Sequence, residues 1–446
     1  MSQLVLNRRT ALAGALAVAA FAAGAAPAGA GADSPLDHRP NPVIFVHGFA
    51  GSGAQFESQQ LRLTGNGYPQ RFIRVLEYDT TFANSTMADV HNALDQLVAT
   101  LRRETHRDRV DILGHSLGTT VMHAYLNSSP ARAANVEHYV NLDGRTAAAP
   151  PGGVPTLAIW AGRGAPDRSI LGATNVTVPN QTHVQVATSA ESFAHIYQFL
   201  NGRPPATGRV VPERDHWVEV AGRALNFPVN TGVQGVTLRI WRVDPDTGQR
   251  VRRHPAEVRV AADGSWGPVR LERGRSHEFA LVRADGSATH HFFPEPFVRS
   301  DHLVRLLTGT PGTGLDALVE KSDRHASLVV SRNKELWGDQ GAESDILRVN
   351  GVNVLNPATA PINKLVIGMF AFDRGSDTVT DVSAPIPAFF ATPFISAVDV
   401  FLPAATPSTG RVSVVLTSRG AGPPRTVNFP NFPSTTDRVT VLFNDF

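Results

Sequence analysis

The segment Gly114-His115-Ser116-Leu117-Gly118 constrains this chain more than any other. It follows the apolar run Val110-Asp111-Ile112-Leu113 and opens a second apolar stretch, Val121-Met122-His123-Ala124-Tyr125-Leu126. The first run is short enough for a buried strand, and the second has helical spacing. A chain that passes from strand to helix this abruptly must bend sharply, where the Cβ of an ordinary residue would clash. Such a bend lifts the Ser116 hydroxyl above the end of the strand, where a base and an external molecule reach it. G-x-S-x-G alone arises by chance in glycine-rich chains, as an ordinary Gly-flanked turn. Its position between strand and helix makes it specific.

The flanking sequence alternates in the same way. Val43–Val46 and Phe72–Leu76 read as strands on either side of a helix over 54–64, which Gly65-Asn66-Gly67 stops. Residues 86–105 give the clearest helix, with Met87, Val90, Leu94, Leu97, Val98 and Leu101 on one face and Thr86 to Asp89 as a capping box. Strands are expected at 110–113, 138–142, 156–160 and 175–178, and a last helix at about 190–200. Strand alternating with helix implies a parallel sheet covered on both faces. With the elbow after its third strand, this is the pattern of a small α/β-hydrolase domain of about six mostly parallel strands over 33–203.

Residues 201–208 read as a linker. Beyond it, over 209–446, short β-branched runs recur at 217–220, 236–243, 257–260, 279–283, 364–370, 397–402, 411–417 and 437–443. Turn signals separate them, so an all-β sandwich or barrel is expected. Gly309–Gly314 is a candidate division into two lobes. Asp244–Gly248 and Asp373–Asp377 lack the distal acidic residue of a calcium loop and read as hairpin turns. His290-His291 beside Phe292-Phe293 reads as a strand with core aromatics. No cofactor or metal site is expected.

A serine hydroxyl is a poor nucleophile at neutral pH and needs a base, itself oriented by an acid. In this fold the chain order is serine, acid, histidine. His183 follows the last strand and precedes the last helix, which suits the base. His195 lies within that helix, His138 precedes the expected acid, and His91, His106 and His123 sit in the helical regions around the elbow. Two acids fit the spacing: Asp143, at the end of strand 138–142, and Asp167, in the loop after strand 156–160. The oxyanion of acyl transfer needs backbone N–H donors. Leu117, directly after the serine, and Phe49, in the loop His47–Gly53, are the expected pair. That loop lacks the spacing of a phosphate-binding P-loop.

Composition narrows the partners. Net charge is +2, with lysine only at 321, 334 and 364, and no basic patch argues for nucleic acid. Twin arginines, Arg8 and Arg9, precede an Ala-dominated run to about Ala30, so residues 1–32 read as a cleaved twin-arginine export signal. The expectation is a secreted protein without a stable membrane span, touching lipid surfaces transiently. The chain has no cysteine, which suits export after folding.

The chain also resembles the secreted bacterial and archaeal serine lipases and esterases with a small α/β-hydrolase domain and a β-rich C-terminal domain. The resemblance is carried by Pro42–Gly48, Gln55–Gln59, Asn66–Pro69, Glu77–Thr80, Gly114–Thr119, Tyr125–Pro130, Leu142–Gly144 and Thr182–Gln185, and continues at Pro296–Arg299 and Val349–Val354. It implies Ser116, Asp143 and His183 as nucleophile, acid and base, and a C-terminal domain that helps hold the acyl chain. Archaeal relatives carry a long helical lid after the Tyr-Asp-Thr segment. Here Thr80 to Thr86 leaves almost no room for one, and 145–153 is short and rich in Pro and Gly. The implied activity is a carboxylester hydrolase on acylglycerols or other apolar esters. A short-chain esterase, a polyester depolymerase and an acyltransferase share these residues. A non-catalytic secreted protein binding lipid or carbohydrate is the alternative from another class.

Overall fold

Val43-Ile44-Phe45-Val46 contains no polar position because neither of its faces meets water; all four residues are fully buried. The computed structural model describes residues 40–446 except 252, 253 and 421, and the expected export segment lies outside them. The first sheet has six parallel strands: β1 (Val43–Val46), β2 (Ile73–Leu76), β3 (Val110–His115), β4 (Val136–Leu142), β5 (Thr156–Ala161) and β6 (Thr174–Val178). Their order is β2-β1-β3-β4-β5-β6. Successive side chains of β1 face opposite ways. Val43 and Phe45 pack with helix Ala190–Asn201 through Phe193, Ile196 and Tyr197. Ile44 and Val46 pack with helices Met87–Thr105 and Leu117–Ser128 through Leu94, Leu101, Val121 and Met122.

Local signals behave as expected. Helix Met87–Thr105 starts on a full capping box, with the Thr86 side chain accepting from the Asp89 amide and the Asp89 carboxylate accepting from the Thr86 amide. Among the described residues, no helix is long and apolar enough to cross a membrane.

The remainder is β-rich. An eight-stranded mixed sheet takes strands from both sides of 309–314, because Thr289–Pro294 pairs in parallel with Asp437–Leu442. Two smaller sheets flank it; one is built on Trp217–Asn226, Ser265–Glu272 and Asp301–Thr308, the other on Ile346–Val349, Arg411–Thr417 and Arg425–Pro430.

Two expectations need correction. The run 364–370 is not one strand: Leu365 adopts φ 56°, ending a 3-10 turn at Lys364, and the strand starts at Gly368. Asp373–Asp377 is not a hairpin turn, because the strands around it, Gly368–Phe372 and Ile395–Asp399, run parallel. Parallel neighbours cannot be joined by a tight turn.

His290 and His291 do lie in a strand, and both are buried. His291 is held between Glu278 Oε1 and Asp437 Oδ1, each at 2.7 Å, and Arg250 also binds Glu278. Burial disfavours a charged imidazole, but the two carboxylates outweigh it and raise the His291 pKa. Burial likewise opposes the Glu278 charge, yet Arg250 and His291 hold its pKa at about 2. A histidine with a raised folded pKa stabilises below its unfolded value of about 6.5 and loses that contribution as pH rises through the folded value. Thermal melting should therefore fall by a few degrees as pH rises above neutrality. His291→Gln should flatten that slope in calorimetric scans; an unchanged slope would exclude His291 as its source.

Candidate active site

Three expected site residues lie on the carboxyl edge of the parallel sheet, where open α/β sheets bind ligands. Ser116 follows β3, Asp143 follows β4, and His183 lies in the loop after β6. Ser116 has φ 53° and ψ −119°, outside the regions an ordinary residue prefers. The crossing is tight: a Cβ on Gly118 would lie 2.2 Å from the Val46 carbonyl oxygen. One on Gly48 would lie 2.9 Å from the Ser116 Cβ. Glycine is required at both positions because backbone and elbow touch there.

His183 Nδ1 lies 2.6 Å from Asp143 Oδ2. The other oxygen, Oδ1, accepts from the Ala161 amide at 2.7 Å and from the Arg168 guanidinium. Arg168 lies over the Trp160 ring, 4.7 Å from its centroid. Burial opposes the Asp143 charge, but the bonds from His183 and Ala161 and the Arg168 charge hold its pKa below the ordinary carboxylate value. Asp167, the other acid that fits the spacing, is exposed, and no ion pair or hydrogen bond involves it among the described residues. The loop expected to offer Asp167 instead brings its neighbour Arg168 to Asp143. No local pattern marks Arg168; only the path of the loop back over Trp160 does.

His115, next to the serine, is also buried, and its Nε2 lies 2.8 Å from the His183 carbonyl. Burial and the neighbouring His183 push its pKa down to about 3, so it is neutral and Nε2–H donates. His115 thus ties the elbow to the His183 loop. The Ser116 hydroxyl itself has no hydrogen-bond partner among the described residues. Ser116 and His183 line the same cavity.

The loop His47–Gly53 is fixed by its own donors. The amides of Gly48, Ala50, Gly51 and Gly53 donate to Gln55, Thr80, Gly48 and Glu77 respectively. Those of Phe49, Ser52 and Leu117 donate to no protein acceptor among the described residues, and so are free for an external oxygen. The β-rich part braces this loop. Arg305 Nε binds Glu77 at 2.6 Å, and Asn230 Nδ2 binds the Gly51 carbonyl at 2.8 Å. Spacing gave no hint of either contact, since both partners lie over 150 residues away in the chain.

The cavity has a volume of about 700 Å³. Ser116, His183 and Phe49 line one side, and Phe292, Phe297, Leu307, Leu328, Phe370 and Phe372 of the β-rich part line another. Residues 80–86 form turns and bends, and 145–153 hold only the 3-10 turn Pro151–Gly153, so neither segment carries a helical lid. Among the described residues no group of three or more side chains suits a metal ion.

Strand order, elbow and cavity together define an α/β-hydrolase. Residues 42–189 match the palmitoyl protein thioesterase family, residues 216–311 the lipase C-terminal domain, and residues 314–446 a further C-terminal-domain family. These matches support a lipase and esterase family in which an α/β-hydrolase domain is followed by a C-terminal lipase domain. No curated protein matches it. Among solved structures, Aspergillus fumigatus lipase B is 13% identical over 40% of this chain and 56% of its own, with a TM-score of 0.28. Est1E from Butyrivibrio proteoclasticus, bound to ferulic acid, is 12% identical over 38% and 93%, with a TM-score of 0.27. Phospholipase PlaB from Legionella pneumophila is 10% identical over 59% and 92%, with a TM-score of 0.24. The fold rests on the strand order, not on these likenesses.

Proposed function

We propose that this hydrolase is a secreted serine carboxylester hydrolase acting on acylglycerols or other apolar esters. The observation that carries the reading is one apolar cavity reached by both Ser116 and a His183 already bonded to Asp143. Ser116 Oγ attacks the ester carbonyl while His183 Nε2 takes its proton. The amides of Phe49 and Leu117 hold the oxyanion. His183 returns the proton to the departing alcohol, leaving an acyl-serine. Water, deprotonated by His183, then releases the acid and restores the serine. Asp143 fixes the imidazole tautomer and stabilises the imidazolium. No cofactor or metal enters these steps. The division into a catalytic part over 33–203 and a lipid-binding part over 209–446 is part of the same proposal. Export by the twin-arginine route rests on Arg8, Arg9 and the run that follows.

The thioesterase match over 42–189 favours a second reading, in which the acyl group arrives as a thioester. The acyl-enzyme is common to both. A fluorophosphonate probe should label Ser116 with one equivalent. With p-nitrophenyl esters, kcat/KM should rise by up to about fourfold per methylene, the worth of burying a CH₂ at about 0.8 kcal/mol. With no helical lid at 80–86 or 145–153, emulsification should produce no jump in rate. A faster reaction with acyl thioesters of the same chain would favour the second reading. No labelling and no hydrolysis of either class would favour a non-catalytic binding protein.

A further inference from the structure

One short segment of the β-rich part reaches both loops that flank Ser116. It follows strand Leu328–Ser331 and comprises Arg332 to Glu335. Asn333 Nδ2 donates to the Ala54 carbonyl at 3.1 Å, just after the loop that carries Phe49. Glu335 sits at the other loop: its Oε1 accepts from the Val184 amide at 2.6 Å, and its Oε2 from the Gln185 amide at 2.9 Å. These are the two residues directly after His183. Glu335 is fully buried, so water does not compete for either bond.

The segment is itself locked. The Arg332 guanidinium is buried and donates to the Glu335 carbonyl at 2.7 Å and to Asp345 at 3.1 and 3.3 Å. Arg419 donates to the same carbonyl, to Asp345 at 2.6 Å and to the Gln185 side chain at 2.6 Å. Its guanidinium carbon lies over Trp337, 3.7 Å from the ring centroid. Burial opposes the Asp345 charge, but Arg332 and Arg419 hold its pKa at about 2. Asp345 is therefore ionised across the neutral range.

We infer that Glu335 is a positioning residue for His183: its buried carboxylate, anchored in the β-rich part, sets the imidazole relative to Ser116. The inference rests on the proposed role of His183. A carboxylate suits two converging N–H donors because each oxygen accepts one of them, and bonds to an ionised acceptor are the stronger kind. In Glu335→Gln one oxygen is replaced by an NH₂ group, which would face an amide N–H donor to donor. The loop must shift, and shifts well below 1 Å suffice to disturb proton transfer.

The test uses the full chain, p-nitrophenyl octanoate and a fluorophosphonate. Glu335→Gln should lower kcat about tenfold to a hundredfold with KM within about twofold, because a misplaced base costs rate rather than ground-state binding. The phosphonylation rate should fall in parallel, and the acid limb of the kcat/KM pH profile should move. A merely structural role would lower the melting temperature but leave kcat per folded molecule and the pH profile unchanged; that result overturns the inference. Should Glu335→Gln not fold, Gln185→Ala decides. It removes only the Arg419 bond and should cost about threefold in kcat with a shift of the same limb. No change in either would overturn the inference. Ser116→Ala, run beside them, separates the readings. An inactive Ser116→Ala with an unaffected Glu335→Gln sinks only the positioning role. An active Ser116→Ala sinks the nucleophile assignment and this inference with it.

Discussion

Ser116→Ala should lower kcat for ester hydrolysis by about 10⁶-fold, to the residual rate that binding and the oxyanion donors alone support. The expected loss is this large because His183 and the oxyanion donors are built around this one hydroxyl. Thr119, the nearest alternative in the chain, spends its hydroxyl on the Ser116 carbonyl at 2.7 Å and accepts the Arg145 amide at 2.7 Å. Folding should be almost unaffected. The Ser116 hydroxyl makes no hydrogen bond among the described residues, and alanine carries the same Cβ into the same left-handed backbone. Hydrolysis assays paired with thermal melts check both halves. A variant that melts like the parent and keeps more than about a thousandth of the activity would remove Ser116 from the mechanism.

Asp143→Asn should cost about 10⁴-fold in kcat, and Asp167→Asn no more than about twofold. The asymmetry follows from what each carboxyl touches. Asp143 accepts from His183, Ala161 and Arg168 together, so its charge is built into the site. An asparagine amide there could present N–H to Nδ1, fix the opposite tautomer and leave Nε2 protonated, unable to take the serine proton. Arg168 would also lose its carboxylate partner. Asp167 is exposed and unbonded among the described residues, so its charge is screened by water. Steady-state assays on the two purified variants suffice. Comparable losses in both, or a loss only in Asp167→Asn, would reverse the assignment of the acid.

Much of the α/β half is legible from local pattern. Val43–Val46 shows a continuous apolar run because two layers of helices bury both its faces. Thr86 and Asp89 announce a helix start because they satisfy each other's amides within one turn. The β-rich half is harder to read. Asp301–Thr308 is a strand whose Asp301 and Arg305 are buried, which spoils the apolar alternation. Arg305 tolerates burial only because Glu77, far away in the chain, pairs with it. Ser265–Glu272 is interrupted by Gly267-Pro268, a turn signal that the structure accommodates as a register shift against Trp217–Asn226.

Sequence alone determined the elbow, the alternation of strand and helix, and the identity of the residues able to donate, accept or attack. Those depend on contacts within a few residues, where backbone sterics and periodicity act directly. It left Asp143 and Asp167 both open on spacing, and was silent on Arg168, Asn230, Arg305 and Glu335. Only the tertiary structure decided which carboxyl meets His183, and that buried charges of the β-rich part hold the loops around Ser116. Such pairings join positions up to 234 residues apart. They are selected by the cost of burying an unpaired charge, which exists only once the sheets have packed.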